Sequence, residues 1–277
     1  MKRSSLTTTL FLAAFFLAVA VAPASAQLRG RLGNILGKAK DLEINTEQET
    51  AIGKEVAAKM ITYFGLYENP KLADYVRKVG EAVAMQSQRD DIYYHFEILE
   101  SPAVNAFAAP GGFIFVTRGL LESIGSEAEL AGVLAHEVGH VDAKHVLRAM
   151  QRGKLMQSGL QEAGSLVPGS KFLDELAKQL LVKLIDQGLD PADEHDADQR
   201  GVVYAFDAGY RPDGLRSVLE VLKKIQSESE EKTNWLTRTH PPLDERMKRI
   251  EQLMAQRKMK AGEGAVLAER FLAARQP

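Results

Sequence analysis

Cysteine is missing from the whole 277-residue chain. Disulfides therefore contribute nothing to its fold, although an exported chain has the chance to form them. The same absence excludes a lipid carried on a cysteine behind a leader, so a soluble, unlipidated protein is expected. Charge of one sign is also lacking: 35 lysines and arginines face 37 aspartates and glutamates, a net −2. Nucleic-acid binding wants a basic patch, and none is present. Beyond the first 26 residues there is no apolar run near the ~20 residues that span a bilayer. Internal repeats and heptad arrays are absent too.

The first 26 residues hold Lys2 and Arg3, an apolar run from Leu10 to Val21, and Ala24-Ser25-Ala26. That order reads as a secretory signal peptide cleaved after Ala26, which implies a periplasmic protein. A retained N-terminal anchor is the competing reading, and the well-placed Ala-x-Ala site disfavours it. Removing Lys2 and Arg3 makes the mature chain more acidic. Its remaining length suits one domain of ordinary size. Residues 27–43, with Gly30, Gly33 and Gly37 among basic side chains, read as a flexible leader. Residues 44–260 read as the folded domain, and 261–277 as a polar C-terminal tail.

Within the domain the pattern is mostly helical. Thr46-Glu47-Gln48-Glu49 has the form of a capping box ahead of a helix. Asn69-Pro70 starts a second helix with an apolar stripe at Leu72, Val76, Val79 and Val83. Tyr93 to Leu99, Val104 to Ala108 and Phe113 to Val116 read as strands, with a turn at Pro110-Gly111-Gly112 between the last two. Ser126 and Glu129 cap a long helix. From Gln151 to Gly188 the pattern is helical with breaks, and Phe172, Leu173, Leu176, Leu180 and Leu184 form a stripe. Such a stripe serves as core, as a lid or as a helix resting on a membrane surface, and core is its commonest use. Further helices start at Asp190-Pro191, at Arg211 to Gly214 and at His240-Pro241-Pro242. The fold class expected is α+β: mostly helical, with three or four strands beside the helix that follows Ser126.

That helix carries AHEVGHVDAKH, from Ala135 to His145. Four residues turn an α-helix by about 400°, so His136 and His140 share a face. Their imidazoles can reach one ion, and Glu137 beside them can touch a bound water without being a ligand. This is the HExxH zinc pattern. The competing reading is a surface helix with two unlinked histidines. The capped helix under the motif, and Gly139, which allows close backbone approach, favour zinc. A catalytic zinc takes three protein ligands and keeps one position open. The longer HExxHxxGxxH pattern would supply the third ligand at position 146, but that residue is valine, and Ala143 replaces the glycine. His145 lies about 140° around a continuous helix from His140 and is read as structural.

The third ligand must then come from another helix. In Asp190 to Asp198, Glu194 and Asp198 are four apart on one face, and Gly201 continues that face. Glu194 is the candidate ligand, and Asp198 the candidate acceptor that fixes the tautomer of a ligand histidine. An acidic first turn favoured by the helix dipole is the competing reading. It accounts for Asp190 and Asp193 better than for Glu194 and Asp198. His195, about 100° from the ligand face, and His95, in an alternating strand, are left out of the site.

HEVGH followed some fifty residues later by Glu-x-x-Ala-Asp resembles the HtpX/Oma1/BepA group of zinc metalloendopeptidases, which includes the CAAX prenyl proteases. Thr46 to Glu49 with Ile52 to Lys54, Val104 to Gly112, and Thr239 to Arg246 resemble other segments of that group. The resemblance spans roughly residues 44 to 255. The chain departs from the group at Asp196, where relatives often carry glutamate, and at Gly188-Leu189-Asp190, where they often carry Ser-Arg. The resemblance implies a zincin-like fold and one zinc ion on His136, His140 and Glu194, with Glu137 as base. It also implies a histidine near the zinc at position 240, as stabiliser of the transition state or as a latch on the open position.

Asn105 is the candidate substrate contact, because an edge strand there lets a peptide add as one more strand. The expected substrates are unfolded envelope polypeptides. A chaperone-like factor with a structural or latched zinc is the alternative. It is weakened by Glu137, which a closed structural site does not need. An esterase or amidase using the same chemistry is a third reading.

Overall fold

The computed structural model describes residues 44–152, 166, 169–228 and 242–276. The segments read as signal peptide and leader, and His240, lie outside the described residues. Helix α1 (Thr46–Phe64) is capped by Asn45, whose side chain accepts from Gln48 N while Gln48 returns a bond to the cap. The capping box thus sits one residue earlier than the sequence suggested. Glu49 is buried and accepts from Gly111 N at 3.1 Å and from Arg89 at 3.0 Å. Helix α2 (Pro70–Ala84) starts at Asn69 and buries Leu72, Val76, Val79 and Val83, as the stripe required.

Three short strands follow: β1 (His95–Leu99), β2 (Ala106–Ala109) and β3 (Phe113–Thr117), in the order β1-β3-β2. β1 runs parallel to β3, pairing His95 with Phe113 through Leu99 with Thr117. β2 runs antiparallel to β3, joined by a tight turn in which Gly111 (φ 71°) and Gly112 (φ 91°) adopt the left-handed backbone that glycine tolerates. Tyr93, Tyr94, Val104 and Asn105 fall outside the strands. β2 is therefore an edge of this three-stranded sheet.

Helix α3 (Arg118–Ser123) leads to α4 (Glu127–Asp142), capped by Ser126. Every residue of α4 from Leu130 to Val141 is buried, charged and apolar alike. A helix enclosed on all sides is the centre of a core rather than its cover. α2, the sheet, α7 (Pro191–Asp207) and α8 (Gly214–Glu228) surround it. Between them, α5 (His145–Arg152) turns away from α4, and α6 (Lys171–Val182) continues into one π turn, Lys183–Gln187. Leu173, Leu176, Leu180 and Leu184 are buried, and α6 packs on α1. The stripe is core.

α7 lies closest to α4. A Cβ built on Gly201 would stand 2.8 Å from His136 N, and one on Gly139 would stand 3.2 Å from Ala197 O. The two glycines let these backbones approach until side chains from both helices converge. α9 (Leu243–Gln256) and α10 (Ala268–Ala274) close the fold. The 261–277 stretch is more than a polar tail: Phe271 is fully buried, and Arg270 reaches the buried Glu127 at the start of α4. Among the described residues, no helix is long and apolar enough to cross a membrane.

Candidate metal centre

α4 delivers His136 and His140 to one side, one turn apart. Their Nε2 atoms stand 3.0 Å from each other. α7 delivers Glu194 opposite, with its carboxylate oxygens 3.5 Å from His140 Nε2 and 3.8 Å from His136 Nε2. All three residues are buried, and one ligand atom from each lies within 4.8 Å of the others. In a tetrahedral zinc site with bonds near 2.0–2.1 Å, neighbouring ligand atoms are about 3.3 Å apart. The observed spacings bracket that value.

Charge makes a second test of fit. Glu137, Glu194 and Asp198 are 7%, 1% and 2% exposed, and Arg246, at 3%, is the single buried cation among the described residues. Three carboxylates against one guanidinium leave a formal deficit that one divalent cation would balance. Unpaired buried charge is costly enough that groups neutralise instead. Accordingly, burial, with Glu194 nearby, pushes the Glu137 carboxyl up to about 7.

Asp198 joins the centre to the rest of the fold. Its Oδ1 lies 3.0 Å from His136 Nδ1, which turns that ring so that Nε2 faces His140 and Glu194. Arg246, from α9, gives Asp198 two bonds of 2.8 and 2.6 Å and stands 3.5 Å from Glu194. Burial pushes the Asp198 carboxyl up, but Arg246 and His136 outweigh it and hold it well below the usual range. Sequence reasoning assigned no role to Arg246. The signal was present, because Arg246 ends the closing segment Thr239 to Arg246, but an arginine in a polar helix reads as a solvated charge.

His145 also belongs here. The assumption of a continuous helix fails at Lys144, whose backbone is left-handed (φ 54°), so a new helix starts at His145. The break carries His145 back, fully buried, until its Nδ1 is 2.9 Å from His140 Nδ1. Burial lowers its pKa. His195 instead faces Glu245, at 3.5 Å, and His95 is exposed and stacked on Phe113. Asp190 and Asp193 pair with Arg152, at 2.9 and 2.8 Å.

A small cleft of about 40 Å³ opens beside the cluster. Asn105 to Ala108 line it along the β2 edge, with Leu184, Gly188 and Leu189 across from them and Glu137, His140 and Glu194 alongside. Asn105 is buried, and its Oδ1 accepts from Ala106 N at 2.7 Å.

Comparison with known families adds the decisive observation. The model of peptidase family M48 matches residues 70–254, a stretch that contains the whole cluster. The chain belongs to peptidase family M48. Within it, the chain is 27% identical over 222 residues to the beta-barrel assembly-enhancing protease of Yersinia pestis, covering 76% of this chain and 45% of that one. It is 31% identical over 197 residues to the mitochondrial metalloendopeptidase OMA1 of Arabidopsis thaliana, covering 69% and 39% respectively. With metalloprotease LoiP of Escherichia coli it shares 29% over 164 residues, covering 58% and 63%. The chain spans less than half the length of the first two relatives. The fold is that of a mostly helical M48 metalloprotease domain with a small sheet, and the cluster of His136, His140 and Glu194 fits a zinc site.

Proposed function

We propose that this chain is a zinc-dependent endopeptidase that cleaves misfolded or unassembled periplasmic and outer-membrane proteins. The observation that carries the reading is Glu137. It is buried beside three convergent ligand atoms, in a cleft bordered by an edge strand. One zinc ion would be held by His136, His140 and Glu194. Zinc in such a site polarises a carbonyl and brings the pKa of water to about 7.

The chain's own groups do the rest. Glu137 takes the proton of the attacking water and hands it to the departing amine, a task that suits a carboxyl poised near neutrality. Asp198 keeps His136 turned toward the ion. The β2 edge, with Asn105 at its start, binds the substrate backbone as an added strand. Such binding ignores most side chains and suits unfolded polypeptides. His240 supplies positive charge to the carbonyl oxygen during attack, or latches the open position before substrate arrives. The signal-like segment ending at Ala26 supports an envelope location, as does the name of the Yersinia pestis relative.

Degradation of casein by the purified chain, with its zinc content measured, tests this reading. The expected result is about one zinc per chain with hydrolysis in wild type, and full zinc with hydrolysis lowered about 10²- to 10⁴-fold in Glu137→Gln. Hydrolysis that survives in Glu137→Gln would overturn the mechanism. Faster cleavage by His240→Ala would make that residue a latch, and slower cleavage a stabiliser.

A further inference from the structure

We infer that His145 is a positioning residue that fixes the tautomer of His140, so that His140 presents the bare Nε2 a metal ion requires. The inference rests on the zinc reading above.

The Nδ1 atoms of His140 and His145 face each other at 2.9 Å in a buried setting. Two ring nitrogens at that distance share one proton, held by one and accepted by the other. A neutral histidine that ligates through Nε2 carries its proton on Nδ1. His140 therefore donates, and His145 accepts through a bare Nδ1. The proton of His145 then sits on Nε2, which makes no hydrogen bond but lies 3.2 Å from the Asp196 carboxylate and 3.7 Å from Asp193. Both carboxylates are held by arginines: Asp196 by Arg200 at 2.8 Å, Asp193 by Arg152 at 2.8 Å. A fixed negative charge beside His145 Nε2 keeps the proton there. The order of protons then runs outward from the ion through His140 and His145 to Asp196.

The two ligand histidines are thus oriented differently. His136 has a carboxylate beside its Nδ1, whereas His140 has a second imidazole beside its own. The backbone accepts a cost for this arrangement. Lys144 takes a left-handed conformation, unfavourable by about 1–2 kcal/mol for a residue with a Cβ. Without that break His145 would face away from His140. Replacing His145 by an apolar side chain would remove the acceptor facing His140 Nδ1 and release the choice of tautomer.

Outer partners of metal-bound histidines are worth about 10- to 100-fold in metal affinity. Chelator competition on the full chain should show a loss of that size in His145→Leu. His145→Asn, which keeps an acceptor oxygen, should recover most of it. Nitrogen-15 NMR of the ring nitrogens in the zinc-loaded wild type reads the tautomers without any substitution. The expected signals are a protonated Nε2 and a bare Nδ1 on His145. A protonated Nδ1 on His145 overturns the assignment, as does equal zinc affinity in wild type and His145→Leu. A wild type that takes up no zinc overturns the metal reading and this assignment together.

Discussion

Arg246 and Asp198 form a buried two-bond ion pair, and the same guanidinium lies 3.5 Å from Glu194. One cation from α9 thus steadies both acidic residues that α7 contributes to the centre. Arg246→Ala leaves Asp198 charged and buried without its guanidinium partner, a loss of about 3–5 kcal/mol. Denaturant titration should show it, with zinc affinity falling in parallel. Arg246→Lys keeps the charge but loses the planar fork, and should fall between the two.

Gly201→Ala tests the contact between α4 and α7. Its Cβ would sit 2.8 Å from His136 N and 2.9 Å from His136 Cα, with no flexible side chain to give way. The helices must separate, at a cost of about 1–3 kcal/mol. Because His136 is itself a candidate ligand, zinc affinity should fall more than in an equally destabilised variant elsewhere. Calorimetry and chelator competition on the same samples separate the two effects.

Removing zinc with a chelator should abolish hydrolysis and lower the melting temperature, since a ligand bound only to the native state stabilises it. The far-ultraviolet helical signal should persist. α4 is enclosed by apolar neighbours, and Asp198 with Arg246 organises the ligands from outside. Loss of helix on chelation would mean that the ion, rather than the core, holds α4 in place.

Glu127 carries the clearest dependence on acid. Burial pushes its carboxyl up, but Arg270, Tyr75 and Tyr210 outweigh that and hold it below its ordinary 4.5. A lowered pKa means stability that is present above the ordinary value and lost as pH falls through the folded one. Glu127→Gln should cost about 2 kcal/mol at neutral pH, the worth of a charged hydrogen bond. The gap to wild type should shrink below about pH 4.5. A gap constant with pH, by denaturant titration, would count against this account.

What the sequence revealed was what is local. HExxH needs one helical turn, so His136, Glu137 and His140 could be placed from spacing alone. Glu194, Asp198 and Gly201 were legible because they lie on one face of one helix. His145 was misplaced because a left-handed lysine has no sequence signature. Arg246 was missed because its partners are 48 and 52 residues away, and only the packing of α9 on α7 brings them together. The C-terminal helix was hidden for the same reason: Phe271 is buried only through contacts with elements distant in the chain. Chemistry was written in periodicity, and support was written in tertiary contact.

The clamp between Glu127 and Arg270 joins residues 143 positions apart. A ribosome adding about 5–20 residues per second needs on the order of ten seconds to pass from one to the other. During that interval the helix bearing the ligand histidines exists without the group that secures its first turn. Any fragment that stops short of residue 270 therefore lacks the clamp on the first turn of α4.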